Sequence, residues 1–259
     1  MKQEMMLIKN QREISKNIFE LTLQGELVQE MNQPGQFIHI RVPRSDLLLR
    51  RPISLASISK TEKICKVIYR TEGDGTKSLS QLKVDDRVDV LGPLGNGFKI
   101  DFIKENDVVF IVGGGIGVPP LYELCKQLAK KNAKLIILNG FSDKKTIFYE
   151  KEFSDLGVLM LATDDGSYAQ KGHVGHLIEK ALKVHPEPAA IYSCGPKALL
   201  RTVEKQFEGH PHVYLSMEER MACGIGACYA CVCQSKRDES INLKVCDEGP
   251  VFQSGEVVI

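Results

Sequence analysis

Residues 107–132, DVVFIVGGGIGVPPLYELCKQLAKKN, read as strand, turn and helix in immediate succession. Val108–Val112 is an uninterrupted apolar run of strand length. Glycines follow at 113, 114, 115 and 117. Pro119-Pro120 then opens a segment in which Leu121, Leu124, Cys125 and Leu128 recur at i, i+3, i+4 and i+7, the spacing of one apolar helix face. Proline at a helix start forfeits no hydrogen bond. Glycines ahead of it let a pyrophosphate approach the positive helix end. Val118 stands where G-x-G-x-x-G has its third glycine, so the motif alone fits any tight strand–helix turn as well as a phosphate site.

Toward the C-terminus the same grammar repeats: KLIILNG then FYEKEF, LGVLMLAT then HVGHLIEKALKV, AAIYSCG then KALLRTVEKQF, and finally HVYLSME. Strands alternating with amphipathic helices predict a doubly wound parallel sheet. Toward the N-terminus the pattern is all β. FELTL (19–23), QFIHIRV (36–42), KVIYR (66–70) and RVDVL (87–91) are separated by turn residues, and only KSLSQL (77–82) looks helical. Short strands at this spacing predict a small antiparallel barrel. The expected organisation is α+β and multidomain: a barrel over 1–101, an α/β domain over 102–218 and a cysteine- and glycine-rich tail over 219–259.

Composition removes several function classes. The 259 residues carry 34 basic and 33 acidic side chains, a net charge of +1, with no basic tract to suit a nucleic-acid partner. The run Val108–Val112 is far too short to span a membrane. The start, MKQEMMLIKNQREI, lacks the apolar segment of a secretory signal, so a cytoplasmic location is expected. Eight cysteines in a reducing compartment are not expected to form disulfides, and a cluster among them implies metal or redox chemistry.

Such a cluster exists. Cys65, Cys125 and Cys194 stand alone, whereas Cys223, Cys228, Cys231, Cys233 and Cys246 lie within the last 37 residues. Cys65 and Cys125 read as small buried hydrophobes. The spacing Cys223-x4-Cys228-x2-Cys231-x14-Cys246 is that of plant-type [2Fe–2S] ligation. Two irons need two thiolates each, from a chain that wraps closely enough to aim backbone N–H groups at sulfur. Gly224, Ile225, Gly226 and Ala227 suit that loop. Structural zinc is the rival, but it usually takes two CxxC pairs and only one is present. Cys233 is surplus and is expected to pack as a thiol.

Other signals are weaker alone. Arg51-Pro52-Ile53-Ser54, preceded by Arg50, reads as a basic turn or a ligand site. Gly75-Thr76 offers amides to a phosphate or caps a helix. Cys194-Gly195-Pro196 ends a strand at the edge where parallel sheets bind ligands, and is equally a thiol in a turn. Asp164-Asp165-Gly166 reads as turn chemistry. The histidines at 39, 173, 176, 185, 210 and 212 form no ligand group, and no serine elbow or carboxylate pair occurs. The chain therefore brings no acid–base machinery of its own.

A barrel with RPIS and GT, followed by a sheet with G-x-G-x-G-x-x-P and CGP, resembles the ferredoxin–NADP reductase superfamily. With MACGIGACYACVC (221–233) as its tail, the whole chain resembles the electron-transfer subunits of NAD-dependent dihydroorotate dehydrogenase B. That resemblance implies FAD held by Arg51, Pro52, Ile53 and Ser54, with Ile68, Tyr69, Arg70, Gly75 and Thr76 lining the rest. It implies NAD at Gly113, Gly114, Gly115, Gly117, Gly195 and Pro196, with Cys194 near the nicotinamide as the catalytic position. Cys223, Cys228, Cys231 and Cys246 would hold the [2Fe–2S] cluster. One departure is Ile53, where many superfamily members stack a tyrosine on the flavin.

The resemblance also implies a partner, an FMN-containing catalytic subunit that oxidises dihydroorotate in pyrimidine biosynthesis, in a heterotetramer of two of each chain. The short tail is expected to pack on its own chain and on that subunit. Subunits of the sulfide dehydrogenase or ferredoxin:NADP oxidoreductase type share the layout, but tend to carry aspartate in place of the first cluster cysteine. NAD rather than NADP follows from the family alone, since Lys144 and Lys145 offer charge for a 2′-phosphate.

Overall fold

Alternating apolar residues close the N-terminal residues into a barrel. The structure, a computed structural model, describes residues 1–259. Strands β1 (Lys2–Ser15), β2 (Ile18–Gln24), β3 (Phe37–Ile40), β4 (Arg51–Ser59), β5 (Ile64–Arg70) and β6 (Arg87–Leu94) form a closed antiparallel barrel in the order β1-β2-β5-β4-β3-β6. Met6 and Ile8, Leu21 and Leu23, Ile38 and Ile40, and Val88 and Val90 point inward at period two and are buried. Two of these strands differ from the sequence expectation. β1 is charged at many positions, and only Met6 and Ile8 are buried within it. β4 begins in Arg51-Pro52-Ile53-Ser54, which is strand rather than turn because it pairs with β3, while the rest of β4 from Leu55 onward pairs with β5. Helix α1 (Asp74–Leu79) starts earlier than residue 77, because the Thr76 hydroxyl accepts from the Glu72 amide and donates to the Gly73 carbonyl.

The second domain is the expected doubly wound sheet. Its elements are β7 (Val108–Gly114), α2 (Pro119–Ala129), β8 (Lys134–Phe141), α3 (Glu150–Ser154), β9 (Val158–Thr163), β10 (Gln170–Lys171), α4 (Val174–Val184), β11 (Ala190–Cys194), α5 (Lys197–Gln206) and β12 (Val213–Ser216). β7 is buried on both faces. Val109 and Ile111 pack with Leu121, Leu124 and Leu128 of α2. Phe110 and Val112 pack with α4 and α5 on the other side.

The tail forms a hairpin, β13 (Val232–Gln234) with β14 (Asn242–Lys244), and then β15 (Val251–Gln253). β15 adds antiparallel to β12 and completes the seven-stranded sheet, which no sequence pattern announced. Cys231, Cys246, Phe252 and Val257 share one apolar core with Phe110 and Leu200. The tail thus borrows the core it is too short to build, as its size requires. No helix is long and apolar enough to cross a membrane.

Two buried carboxylates tie barrel to sheet. Glu123 of α2 accepts the Ile58 amide of β4 at 2.9 Å. Glu20 of β2, 1 % exposed, accepts the Tyr149 hydroxyl and, at 3.1 Å, Arg12 Nε. Tyr149→Phe leaves that carboxylate one donor short. Its expected cost is about 1–3 kcal/mol of stability, measured by urea unfolding.

Candidate functional site

The antiparallel ladder of β4 and β5 ends at Leu55–Val67, so Arg51–Ser54 and Ile68–Arg70 run on from the same end of it, and α1 starts just beyond the end of β5. These residues, with Gly75 and Thr76, line a cleft of about 920 Å³ between the barrel and the carboxyl edge of the sheet. Each expected flavin residue is therefore on this cleft. Arg51 lies across the start of α1, where a Cβ on Gly75 would come within 2.4 Å of Arg51 Nε. Glycine at 75 is what lets the guanidinium reach that place. Tyr69 turns its ring into the barrel and donates to Gln11 Oε1 at 3.2 Å. Ile53 is packed among the barrel's core side chains.

A second cleft, of about 670 Å³, lies beyond the glycine loop and holds Gly114, Gly115 and Pro196 together with Asp143, Asp164 and His173. The expected nucleotide residues are divided between the two spaces. Gly117, Cys194 and Gly195 line the flavin-side cleft. Gly113 lines neither, being buried where a Cβ would meet Asn139 Oδ1 at 2.5 Å. Most of these glycines serve chain packing: a Cβ on Gly117 would fall 2.5 Å from the backbone of Gly195. Arg70 lines both clefts. Cys194 pairs with Gly113 across the sheet, and burial pushes its thiol up to about 12. It is a neutral S–H donor at pH 7, not a nucleophile.

The tail gathers the four spaced cysteines into two couples. The Cys223 amide donates to Cys228 Sγ at 3.5 Å, and Cys231 stands close enough to Cys246 to help raise its thiol. The loop between closes over them. The Ile225 amide donates to Cys223 Sγ at 3.4 Å and the Gly226 amide to Cys246 Sγ at 3.2 Å. Gly224 and Gly226 make that turn at φ +71° and +78°, which side chains resist. Slight burial works to raise the Cys223 thiol, but the Ile225 amide and the Cys228 thiol outweigh it and bring it down to about 7. Two thiol couples under inward amides are the donor set that two irons need, so the residues fit a [2Fe–2S] group. Cys233 takes no part in this web. It is buried opposite Leu243, its thiol raised to about 11 by burial.

Comparison with known proteins is consistent across the chain. Residues 218–258 match the iron–sulfur cluster binding domain of dihydroorotate dehydrogenase B. Residues 111–205 match an oxidoreductase NAD-binding domain and 5–98 an oxidoreductase FAD-binding domain. The dihydroorotate dehydrogenase B (NAD(+)) electron transfer subunit of Enterococcus faecalis (strain ATCC 700802 / V583) is 52 % identical over 260 residues, spanning 100 % of this chain and 99 % of that one. The chain belongs to the family of dihydroorotate dehydrogenase B electron-transfer subunits. The member from Geobacillus kaustophilus is 50 % identical, over 99 % of this chain and 98 % of its own. Among solved structures, an NADH-dependent reduced ferredoxin-NADP oxidoreductase superposes with a TM-score of 0.86 at 25 % identity, covering 98 % of this chain and 90 % of that one. The cytochrome b5 reductase domain of Ulva prolifera nitrate reductase gives 0.67 at 19 %, with 82 % and 97 % covered. Identity near half favours this family over the ferredoxin:NADP oxidoreductase alternative.

As a member of the family the chain carries FAD-, NAD- and iron–sulfur-binding domains. Its sequence left one wall of the flavin-side cleft unread. Ser216–Met221, the passage from β12 into the cysteine loop, lines that cleft, and so does Pro250, four residues past Cys246. The available signal was position: a strand leaving the carboxyl edge of a parallel sheet.

Proposed function

We propose that this chain relays electrons from the FMN of a dihydroorotate-oxidising subunit, through its own cluster and FAD, to NAD+. The observation that carries the proposal is a shared wall on each side of one cleft. Met217–Met221 line the flavin-side cleft and run directly into Cys223. On the other side Arg70, and the succession Cys194-Gly195-Pro196, join it to the nucleotide cleft. A flavin suits the middle place because it exchanges electrons singly with iron–sulfur and in pairs, as hydride, with nicotinamide.

Each group in the chain has a task in this reading. Cys223, Cys228, Cys231 and Cys246 would hold the cluster, with loop amides offsetting thiolate charge. Arg51 offers a bidentate guanidinium to the FAD pyrophosphate. Ser54, with the edge Ile68–Arg70, orients the ring system. Gly114 and Gly115 leave backbone open to the dinucleotide pyrophosphate. Cys194 stays protonated and keeps the nicotinamide's approach to the flavin free of a competing anion.

The family and the lining of the nucleotide cleft support NAD over NADP. Asp143 and Asp164 line the nucleotide cleft, whereas Lys144 sits outside its lining, with its Nζ 5.4 Å from the Tyr168 ring centroid. Lys16 and Arg70 line the same cleft, so the preference for NAD rests on the family together with the absence of both Lys144 and Lys145 from that lining. NADH is expected to exceed NADPH in kcat/KM for flavin reduction by at least about tenfold, or about 1.4 kcal/mol. Equal efficiency would overturn the assignment.

The reading includes a heterotetramer of two of each subunit and a cytoplasmic location, where thiols stay reduced. The test is reconstitution. This chain alone should oxidise NADH with an artificial acceptor and show no dihydroorotate:NAD activity, which should appear with the FMN subunit in a complex of that stoichiometry. A monomer with full dihydroorotate:NAD activity would refute it.

A further inference from the structure

β3 alternates its faces: Ile38 and Ile40 fill the barrel, while Phe37 and His39 look outward to the tail. Phe37 lines the flavin-side cleft and shares the apolar core of Cys231 and Cys246. His39 lies with its ring centroid 5.7 Å from that of Phe37. It is 0 % exposed, and neither ring nitrogen has a hydrogen-bond partner. Its ring edge presses on Gly224, the residue after Cys223. A Cβ there would fall 2.3 Å from His39 Cε1, 2.7 Å from Nδ1 and 2.8 Å from Nε2. The cysteine loop therefore turns directly around this imidazole.

A buried N–H without a partner costs about 1–3 kcal/mol, and native structures rarely leave one. Burial, with Arg50 nearby, pushes the imidazole down to about 4, so it is neutral at pH 7 with one N–H to give. The group that the adjoining cysteines fit is rich in sulfur acceptors. We propose that His39 is a positioning residue of the cluster, donating its ring N–H to a sulfur of the iron–sulfur group and pinning the Cys223–Cys228 loop to the flavin barrel. This rests on the cluster assignment above. A donor to sulfur stabilises the reduced, more negative cluster and raises its potential. His39 would thereby set the driving force between cluster and flavin from the flavin's own domain.

The test uses the full chain in its complex, with 15N-labelled histidine. Pulsed EPR of the reduced wild-type cluster is expected to show coupling to a histidine nitrogen. His39→Phe keeps an aromatic ring, slightly larger than imidazole, and removes the donor. It is expected to retain full iron, lose that coupling and lower the midpoint potential. His39→Gln restores an N–H and should recover part of the potential. A wild-type cluster with no nitrogen coupling overturns the proposal, as does a His39→Phe potential equal to wild type. The wild-type spectrum decides even where a variant fails to assemble. Iron content and the EPR signal itself report separately on the cluster, and their absence from wild type would overturn both readings.

Discussion

Cys246→Ser is expected to abolish dihydroorotate-driven NAD+ reduction, by a factor of about 100 or more, while sparing NADH-driven reduction of an artificial acceptor through the flavin. Cys246 is buried, couples with Cys231 and receives the Gly226 amide. Serine does not ionise near neutral pH and is a poor ligand for iron, so half of the donor set for one metal is lost. A hundredfold loss corresponds to about 2.7 kcal/mol of transition-state free energy. The flavin-side and nucleotide clefts do not include Cys246, so the NADH half-reaction should proceed. The checks are iron per chain and the two activities, measured side by side. Cys233→Ser is the informative companion, since Cys233 lies outside the amide–sulfur web. It should keep its iron, and an iron-replete Cys246→Ser would shift the ligand assignment to Cys233.

Gly117→Val is expected to produce the opposite pattern. A Cβ at 117 would stand 2.5 Å from both Gly195 Cα and Gly195 N, and 2.6 Å from the Cys194 carbonyl carbon. These are backbone atoms and cannot rotate away. The loops that follow β7 and β11 must part, and they form the wall between the two clefts. Reduction of bound flavin by NADH should slow about 100-fold or more, because a misplacement near 1 Å is enough for that loss. None of the amide–sulfur contacts of the cysteine loop involves Gly117, Cys194 or Gly195, so iron content should stay full. Stopped-flow flavin reduction together with iron analysis tests this; an unchanged rate would show that the loops relax without moving the clefts.

Much of the architecture lies on the surface of the sequence. The β7–α2 unit shows itself because a parallel central strand is apolar on both faces and its helix carries an apolar stripe at 3.6-residue spacing. The iron–sulfur domain shows itself because its cysteine spacing is local, with the first three of the four spaced cysteines and their glycines falling within nine residues, Cys223–Cys231. The residues expected at the flavin are different. Arg51–Ser54 has no strand signature of its own and is strand only because β3 pairs along it. β1 hides for a similar reason, since a barrel strand with one wet face and many charges needs its neighbours to be recognised.

Fold class, family and the spacing of the four cysteines are thus legible along the chain, because all rest on period, spacing and order. Tertiary structure alone decided the rest: that β15 completes the sheet, that Arg70 stands between two clefts, that Gly113 packs under the loop, and that His39 meets Gly224. Those juxtapositions join residues far apart in the chain. Local pattern encodes which residues want burial, whereas the partner each one meets is fixed only when distant segments pack against one another.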